Sequence, residues 1–331
     1  MPSTLTVVMY HYVRELRHTR FPAIKGLNPS EFREQLAYIR RFYSVITAEA
    51  LLDSLTNQGT LPPNPLLLTF DDGFADHFVN VFPLLEQAKL QGSFFVPAMP
   101  VAEKRMLDVH KIHFILAEVA DKKSLVDDIF RAIERDATKG LQSPAAYYAQ
   151  YAAPSRFDPA EVCFIKQMLQ YALPENVRNA IVTDLFTKYV TSDEEAFAAE
   201  LYLTPDQIRC MVRMGMYFGS HGYSHRWMGH IDPSDQHLEI SRSLDFLSSI
   251  GATTHRWIMS YPYGDWNAEL LELLRGTGCV AAFTTKVGLG DLKSEPLLLS
   301  RIDTNDLPKI ATAQACQWVQ QPTARSESST S

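Results

Sequence analysis

Three short stretches carry residues whose type and spacing could do chemistry. In "LLLTFDDGF", residues 66 to 74, an apolar run ends on two adjacent carboxylates, Asp71 and Asp72. Carboxylates side by side repel, so a metal, a base or a helix N-terminus must offset them. In "SHGYSH", residues 220 to 225, His221 and His225 are four apart, which lets two imidazoles converge on one ion if the loop curls through a turn. Two histidines and one carboxylate leave coordination positions open, as a hydrolytic metal needs in order to hold water and polarise a carbonyl. One aspartate of the pair can then be the ligand and the other the base. In "MSYPYGDWN", residues 259 to 267, Pro262 and Gly264 fix a tight loop in which a main-chain N–H such as that of Tyr263 could face a developing oxyanion. Tyr263 and Trp266 also offer flat apolar surface to a sugar ring. Taken singly, each stretch has a plainer reading: "DDG" as a turn whose aspartate caps a helix, the histidine spacing as chance among ten histidines, and "PYG" as an ordinary turn.

The elements around these stretches are what give their positions meaning. Strand-like apolar runs recur at Leu5–Met9, Leu66–Phe70, Ser93–Val96, Met216–Gly219, Trp257–Tyr261, Val280–Thr284 and Leu297–Leu299. Helix-like segments separate most of them, an alternation that predicts an α/β architecture with a largely parallel sheet. "SEFREQLAYIRR" reads as a surface helix capped by Ser30, and "TPDQIRCMVRMG" as one capped by Thr204, with Pro205 at N1 and Gly215 as terminator. In a parallel α/β protein the ends of the strands bear the site, so Asp71, Asp72, His221 and Tyr263 fall on one rim. "LTVVMYH" ends on that rim too, with His11 at its tip.

Between about 102 and 203 the strand rhythm stops and the pattern turns amphipathic and helical, as in "SLVDDIFRAIERDATKG". The expected division is therefore a barrel from 1–101 and 204–318, a helical insertion over 102–203 and a disordered tail over 319–331. The insertion serves either as a packed subdomain or as a substrate wall.

The 331 residues are 46% hydrophobic and 21% charged, with a formal net charge of -7, so no basic face is expected to follow a nucleic acid or an anionic membrane. Four cysteines without CxxC spacing suggest reduced thiols. The amino-terminal sequence lacks a basic region followed by a long apolar run, so a cytoplasmic setting without membrane insertion is expected.

Taken in order, "TFDDG", "SHGYSH" and "YPYG" resemble the first three motifs of the polysaccharide deacetylases, the NodB-homology carbohydrate esterases. "LTPDQIRCMVRMGMYFGSHGYSH" and "SYPYGDWNAELLELL" extend the resemblance, which covers roughly residues 5 to 100 and 204 to 318. It implies a deformed (β/α) barrel with a large helical insertion, hydrolysing an N-acetyl amide on a sugar with the help of a divalent metal. Zinc is the first candidate, and cobalt, nickel, manganese or iron are alternatives. Carried over residue by residue, Asp71 matches the general base, Asp72, His221 and His225 the metal ligands, and Tyr263 the oxyanion N–H. Tyr223, Trp266 and Arg301 are candidate substrate contacts.

The chain departs from the pattern in three places. Ser260 stands where an arginine often orients the base, the fourth motif is only Asp265 and Trp266, and "LLLSRID" has Ser300 and Arg301 where a histidine is usual. His11 is then the candidate acid for the leaving amine, and Arg301 is expected either to orient Asp71 or to bind an acidic substrate. A cytoplasmic deacetylase would meet a nucleotide-linked, lipid-linked or free N-acetylamino sugar. Hydrolysis of a small non-sugar amide, and carbohydrate binding without turnover, are the competing functions.

Overall fold

Seven parallel strands close on themselves. In the computed structural model, which describes residues 3–135, 140–155 and 158–320, they are β1 (Thr4–Tyr10), β3 (Pro65–Asp71), β4 (Ser93–Val96), β5 (Tyr217–Ser220), β6 (Trp257–Ser260), β7 (Cys279–Val287) and β9 (Leu299–Asp303). The order is β3-β4-β5-β6-β7-β9-β1, and β1 pairs in parallel with both β9 and β3, which completes the ring. Two-residue strands, β2 (Ser44–Val45) and β8 (Gly290–Asp291), add to β3 and β1, and β8 is antiparallel. This is the deformed (β/α) barrel expected from the sequence.

Six of the seven apolar runs read from the sequence became barrel strands, because buried parallel strands are apolar on both faces. The last was misplaced. Pro296–Leu298 form a 3₁₀ turn, and β9 begins at Leu299 and continues through the polar Ser300, Arg301 and Asp303. An inward arginine breaks the hydrophobic pattern, so the strand's second half was invisible to it.

Side chains alternate across the wall, as period 2 requires. Leu5, Val7, Leu67, Phe95, Tyr217, Ile258, Ala281, Phe283 and Leu299 pack in one cluster inside the barrel. Val8, Tyr10, Leu66, Leu68, Phe70, Phe94 and Phe218 pack outward with helix residues such as Phe32, Leu36 and Ile208. The same alternation turns the last residues of the strands inward at the carboxyl-terminal end: Asp71 after Leu67 and Thr69, Ser260 after Ile258, Arg301 after Leu299. Gly219 lies where β5 and β6 approach most closely, since a Cβ there would stand 2.6 Å from the Ile258 carbonyl and from the Phe95 ring.

Helices cover the outside. Pro29–Phe42 starts two residues earlier than read: Asn28 is the cap, Pro29 is N1, and the Glu31 carboxylate accepts from the Asn28 N–H at 3.0 Å. Ser30 therefore lies inside the first turn. Pro205–Arg213 has the expected ends, with the Thr204 hydroxyl accepting from the Gln207 N–H at 3.2 Å and Gly215 at φ +85°.

The chain divides into two compact units. The first holds the barrel, with Met1–Arg14, Leu27–Ala102 and Tyr202–Ser331. The second comprises Glu15–Gly26 and Glu103–Leu201 and is helical, with Asp108–Glu118, Lys122–Arg135, Pro144–Tyr151, Ala160–Gln167, Glu175–Tyr189 and Glu194–Leu201. Leu125, Ile129, Phe164, Ile165 and Val182 form its apolar interior. Phe21 brings the short segment Glu15–Gly26 onto this unit, with its ring 4.9 Å from Phe114. Of the tail expected over 319–331, residues 321–331 lie outside the described residues. No helix among the described residues is long and apolar enough to cross a membrane, and all four cysteines are free.

Candidate active site

Asp71 is the last residue of β3, and its carboxylate is 1% exposed. Arg301 Nη1 donates to Asp71 Oδ2 at 2.7 Å, and the Ser260 hydroxyl donates to the same oxygen at 3.1 Å. Arg301 Nε donates to the Thr284 carbonyl at 3.0 Å, which fixes the guanidinium plane. The other oxygen, Asp71 Oδ1, is buried and has no hydrogen-bond partner among the described residues. Burial pushes the Asp71 carboxyl up, but Arg301, then His221 and His11, outweigh it and hold the group below the ordinary carboxylate range. Of the two expectations for Arg301, the structure shows the first: it is an ion-pair partner of Asp71, and its side chain is 1% exposed. That burial corrects its assignment as a substrate contact.

Asp72 follows in a left-handed conformation, φ +75°, ahead of Gly73 at φ +66°. The turn throws its carboxylate to the opposite side from the usual strand alternation. There it meets the loop after β5: His221 Nε2 and His225 Nε2 each lie 3.5 Å from Asp72 Oδ1. One ligand atom from each of the three buried residues lies within 4.8 Å of the others, the sole such group among the described residues, and Asp71 is not part of it.

Two features fit this trio to a divalent cation. The Ser260 carbonyl accepts from His221 Nδ1 at 2.6 Å, so a neutral His221 ring directs its Nε2 lone pair at the cluster. Burial drives His221 toward its neutral form, yet Asp72, Asp71 and the Ser260 carbonyl together raise its proton affinity. Two imidazole nitrogens and one carboxylate oxygen make a donor set that suits zinc and its first-row neighbours.

Glu239, on the helix Pro233–Ser249, pins the histidine loop. Its carboxylate accepts from the Tyr223 N–H at 2.8 Å, the Ser224 N–H at 2.9 Å and the Ser224 hydroxyl. The loop needs that support, because His225 is left-handed at φ +59°. Sequence reading missed Glu239: it lies fourteen residues past His225 on an amphipathic helix, where a glutamate reads as a surface residue. Tyr223, expected to contact substrate, is instead 7% exposed, and the Arg242 guanidinium stacks over its ring at 3.5 Å and donates to its hydroxyl. With its ring and its hydroxyl both turned to that helix, Tyr223 serves packing.

The turn Pro262–Gly264 follows β6, with Tyr263 at φ +58°, ψ +4°. Left-handed backbone costs a residue with a side chain about 1–2 kcal/mol. Tyr263 has compensating contacts: its ring stacks on Trp227 with centroids 4.2 Å apart and planes 4° from parallel, and its edge meets His225 at 4.7 Å. An aromatic pair contributes about 0.5–1.5 kcal/mol, a comparable sum. Gly264, at φ +72°, allows the turn to lie against β7, where a Cβ would come within 2.7 Å of the Thr285 nitrogen. The expectation that Tyr263 offers an open face to a sugar is thus corrected in part, because Trp227 covers one face. Trp266 is 40% exposed. Trp227 itself was overlooked, although an aromatic two residues after His225 was a visible signal.

His11 lies just past β1, half-buried, and its carbonyl accepts from His77 Nε2 at 2.8 Å. It follows Tyr10, which pairs with Phe70 next to Asp71, so it lies at the same end of the barrel. Seven of the nine residues named from sequence, namely Asp71, Asp72, His221, His225, Tyr263, Arg301 and His11, are linked here by contacts or charge.

The comparisons bear on the family and the fold. A family model described as polysaccharide deacetylase matches residues 164–282. The chain is 23% identical over 155 residues to "Putative polysaccharide deacetylase YxkH" of Bacillus subtilis (strain 168), an alignment covering 39% of this chain and about half, 53%, of the relative's length. Among solved structures, the Streptococcus pyogenes deacetylase PplD in complex with acetate superposes with a TM-score of 0.57 at 16% identity, over 92% of this chain and 93% of that one. IcaB from Ammonifex degensii gives 0.55 at 18% identity, over 94% and 96%. The deacetylase domain of BpsB from Bordetella bronchiseptica gives 0.53 at 16%, over 91% and 96%. At these identities the structural likeness establishes the fold, a barrel of the NodB-homology type, and residues 164–282 are similar to the polysaccharide deacetylase family model.

Proposed function

We propose that the chain is a metal-dependent carbohydrate N-deacetylase, which hydrolyses the acetamide of an N-acetylated amino sugar to acetate and a free amine. The observation that carries this reading is the meeting of Asp72, His221 and His225 beside a buried, ionised Asp71 that keeps one oxygen available for a proton. A divalent ion held by those three residues, with zinc first and cobalt, nickel, manganese or iron as alternatives, would supply Lewis acidity to the acetyl carbonyl and acidify water.

The chain's own groups do the rest. Arg301 and Ser260 occupy Asp71 Oδ2 and orient Oδ1, which accepts the proton of the attacking water as its oxygen bonds to the carbonyl carbon. A carboxylate held below its ordinary range is ionised at neutral pH but is a weak base, which is why the water must be made more acidic before Asp71 can take its proton. The Tyr263 N–H donates to the oxygen that gains negative charge. As the C–N bond breaks, His11 gives a proton to the departing nitrogen. Trp266 provides an exposed flat surface for the sugar. Residues 102–203 act as a helical subdomain inserted in the barrel sequence. The substrate class is a nucleotide-linked, lipid-linked or free N-acetyl sugar.

The test is acetate release from a panel of N-acetylated nucleotide sugars and chitooligosaccharides, with metal content measured on the same protein. Asp71→Asn is expected to retain the metal and lose turnover by at least about a hundredfold, the lower end of what a general base contributes. Near-normal kcat in that variant would remove Asp71 as base. Release of acetate from no sugar, but from small amides, would move the reading to a non-sugar amidohydrolase. Cell fractionation tests the cytoplasmic setting expected from the sequence.

A further inference from the structure

The loop after the metal-binding histidines does more than return the chain to a helix. Residues 227–230 are joined to the turn after β6 at four places. Trp227 stacks on Tyr263 at 4.2 Å, the Gly229 N–H donates to Asp265 Oδ2 at 2.6 Å, His230 Nδ1 lies 3.0 Å from the same oxygen, and Asn267 Nδ2 donates to the Gly229 carbonyl at 3.1 Å. A Cβ on Gly229 would stand 2.7 Å from the Trp266 carbonyl, so the two backbones touch. Asp265, the remnant of the weak fourth motif, is thereby a tie between two loops.

From this arrangement we propose that Trp227 is a positioning residue for the oxyanion donor: its ring holds Tyr263 in the left-handed conformation that aims the Tyr263 N–H at the reacting carbonyl. Tyr263 is a bulky residue at φ +58°, and such backbone persists only where its surroundings over-determine it. Two contacts on its side chain do so, the parallel Trp227 face and an edge-on contact with His225. His225 belongs to the metal trio, so the aromatic row Trp227–Tyr263–His225 fixes the distance between the cation position and the donor. That distance matters, because an error of about 1 Å in a catalytic group costs on the order of a hundredfold in rate. A sugar platform at Trp227 would predict a different outcome, with its loss felt in substrate binding rather than in turnover.

This inference rests on the deacetylase reading for its kinetics, and a second measurement stands without it. Trp227→Leu is expected to lower kcat about ten- to a hundredfold with KM changed less than about threefold. Metal affinity is expected to stay near that of the parent protein. Adding Tyr263→Asn to Trp227→Leu should restore most of the kcat, because asparagine adopts the left-handed region without help. In metal-free protein labelled with 15N-tyrosine, the Tyr263 amide resonance should shift in Trp227→Leu and stay close to its original position in Trp227→Phe, which keeps a stacking ring. A raised KM with kcat preserved and no rescue by Tyr263→Asn would overturn the proposal, as would an unmoved Tyr263 amide. Should Trp227→Leu fail to fold, Trp227→Phe carries the same decision: a modest fall in kcat at constant KM supports it, and a raised KM at constant kcat refutes it. If the unmodified protein hydrolyses no acetamide, the deacetylase reading falls, while the amide resonance still decides whether Trp227 sets the turn.

Discussion

Arg301→Met isolates the ion pair on which Asp71, the proposed base, depends. In the native protein the guanidinium and the Asp71 carboxylate are each 1% exposed and 2.7 Å apart. Two charges about 4 Å apart at an effective dielectric near 20 interact by about 4 kcal/mol. Methionine fills similar volume without charge, so burial, the leading influence on Asp71, loses its main opponent and the carboxyl rises above its ordinary 3.8. The sign for stability follows from which state binds the proton. In the native protein the folded value is depressed, so the pair's contribution is complete above the unfolded value and is lost only as pH falls through the folded one. In Arg301→Met the folded value is raised, so the variant loses stability as pH climbs from about 4 toward the raised value. The gap between the two proteins should therefore be small near pH 4 and grow to about 3–5 kcal/mol by pH 8, the cost of a buried charge stripped of its partner. Urea denaturation of the metal-free proteins across that range measures it, and adding Asp71→Asn should flatten the dependence. In activity, the acid limb of kcat/KM should move to higher pH in Arg301→Met and by less in Arg301→Lys. A gap that is constant with pH, together with an unmoved acid limb, would refute the assignment of Arg301 as the residue that keeps Asp71 ionised.

Two other perturbations probe the support of the site. Glu239→Gln replaces the acceptor of two backbone N–H groups and a hydroxyl under the histidine loop, and, on the proposed metal site, is expected to weaken divalent-metal binding by about 10- to 100-fold with the fold intact, as read by competition with a chelating dye. His77 is fully buried among Phe70, Phe74 and Phe94, and burial pulls its value down to about 4 from 6.5. The unfolded chain thus takes up this proton first, so stability is complete above pH 6.5 and falls as pH drops toward 4, by roughly 2 kcal/mol at pH 5. His77→Phe should remove that part of the acid dependence in denaturation curves, and an unchanged slope would mean that His77 is not buried in its neutral form.

What the sequence determined by itself was the part written in local pattern. Six of the seven apolar runs became barrel strands because a strand buried on both faces must be apolar along its length, and residues 204 to 215 carried the cap, first-turn proline and glycine stop of their helix. Three ordered motifs carried Asp71, Asp72, His221, His225 and Tyr263 because chemistry of this kind is attached to strand ends, where neighbouring residues in sequence remain neighbours in space. Tertiary structure alone decided who supports them. Arg301 reaches Asp71 across 230 positions of sequence, Ser260 across 189 and Trp227 meets Tyr263 from another loop, and none of these pairings has a local signature. Ring closure between β1 and β9 brings Arg301 beside Asp71, and the inward turn of alternate residues aims it there. An arginine lacking from the expected third motif is thus answered by one from a different strand. The side chain's role is set by the point in the barrel it reaches, and that point depends on strand pairing rather than on sequence position.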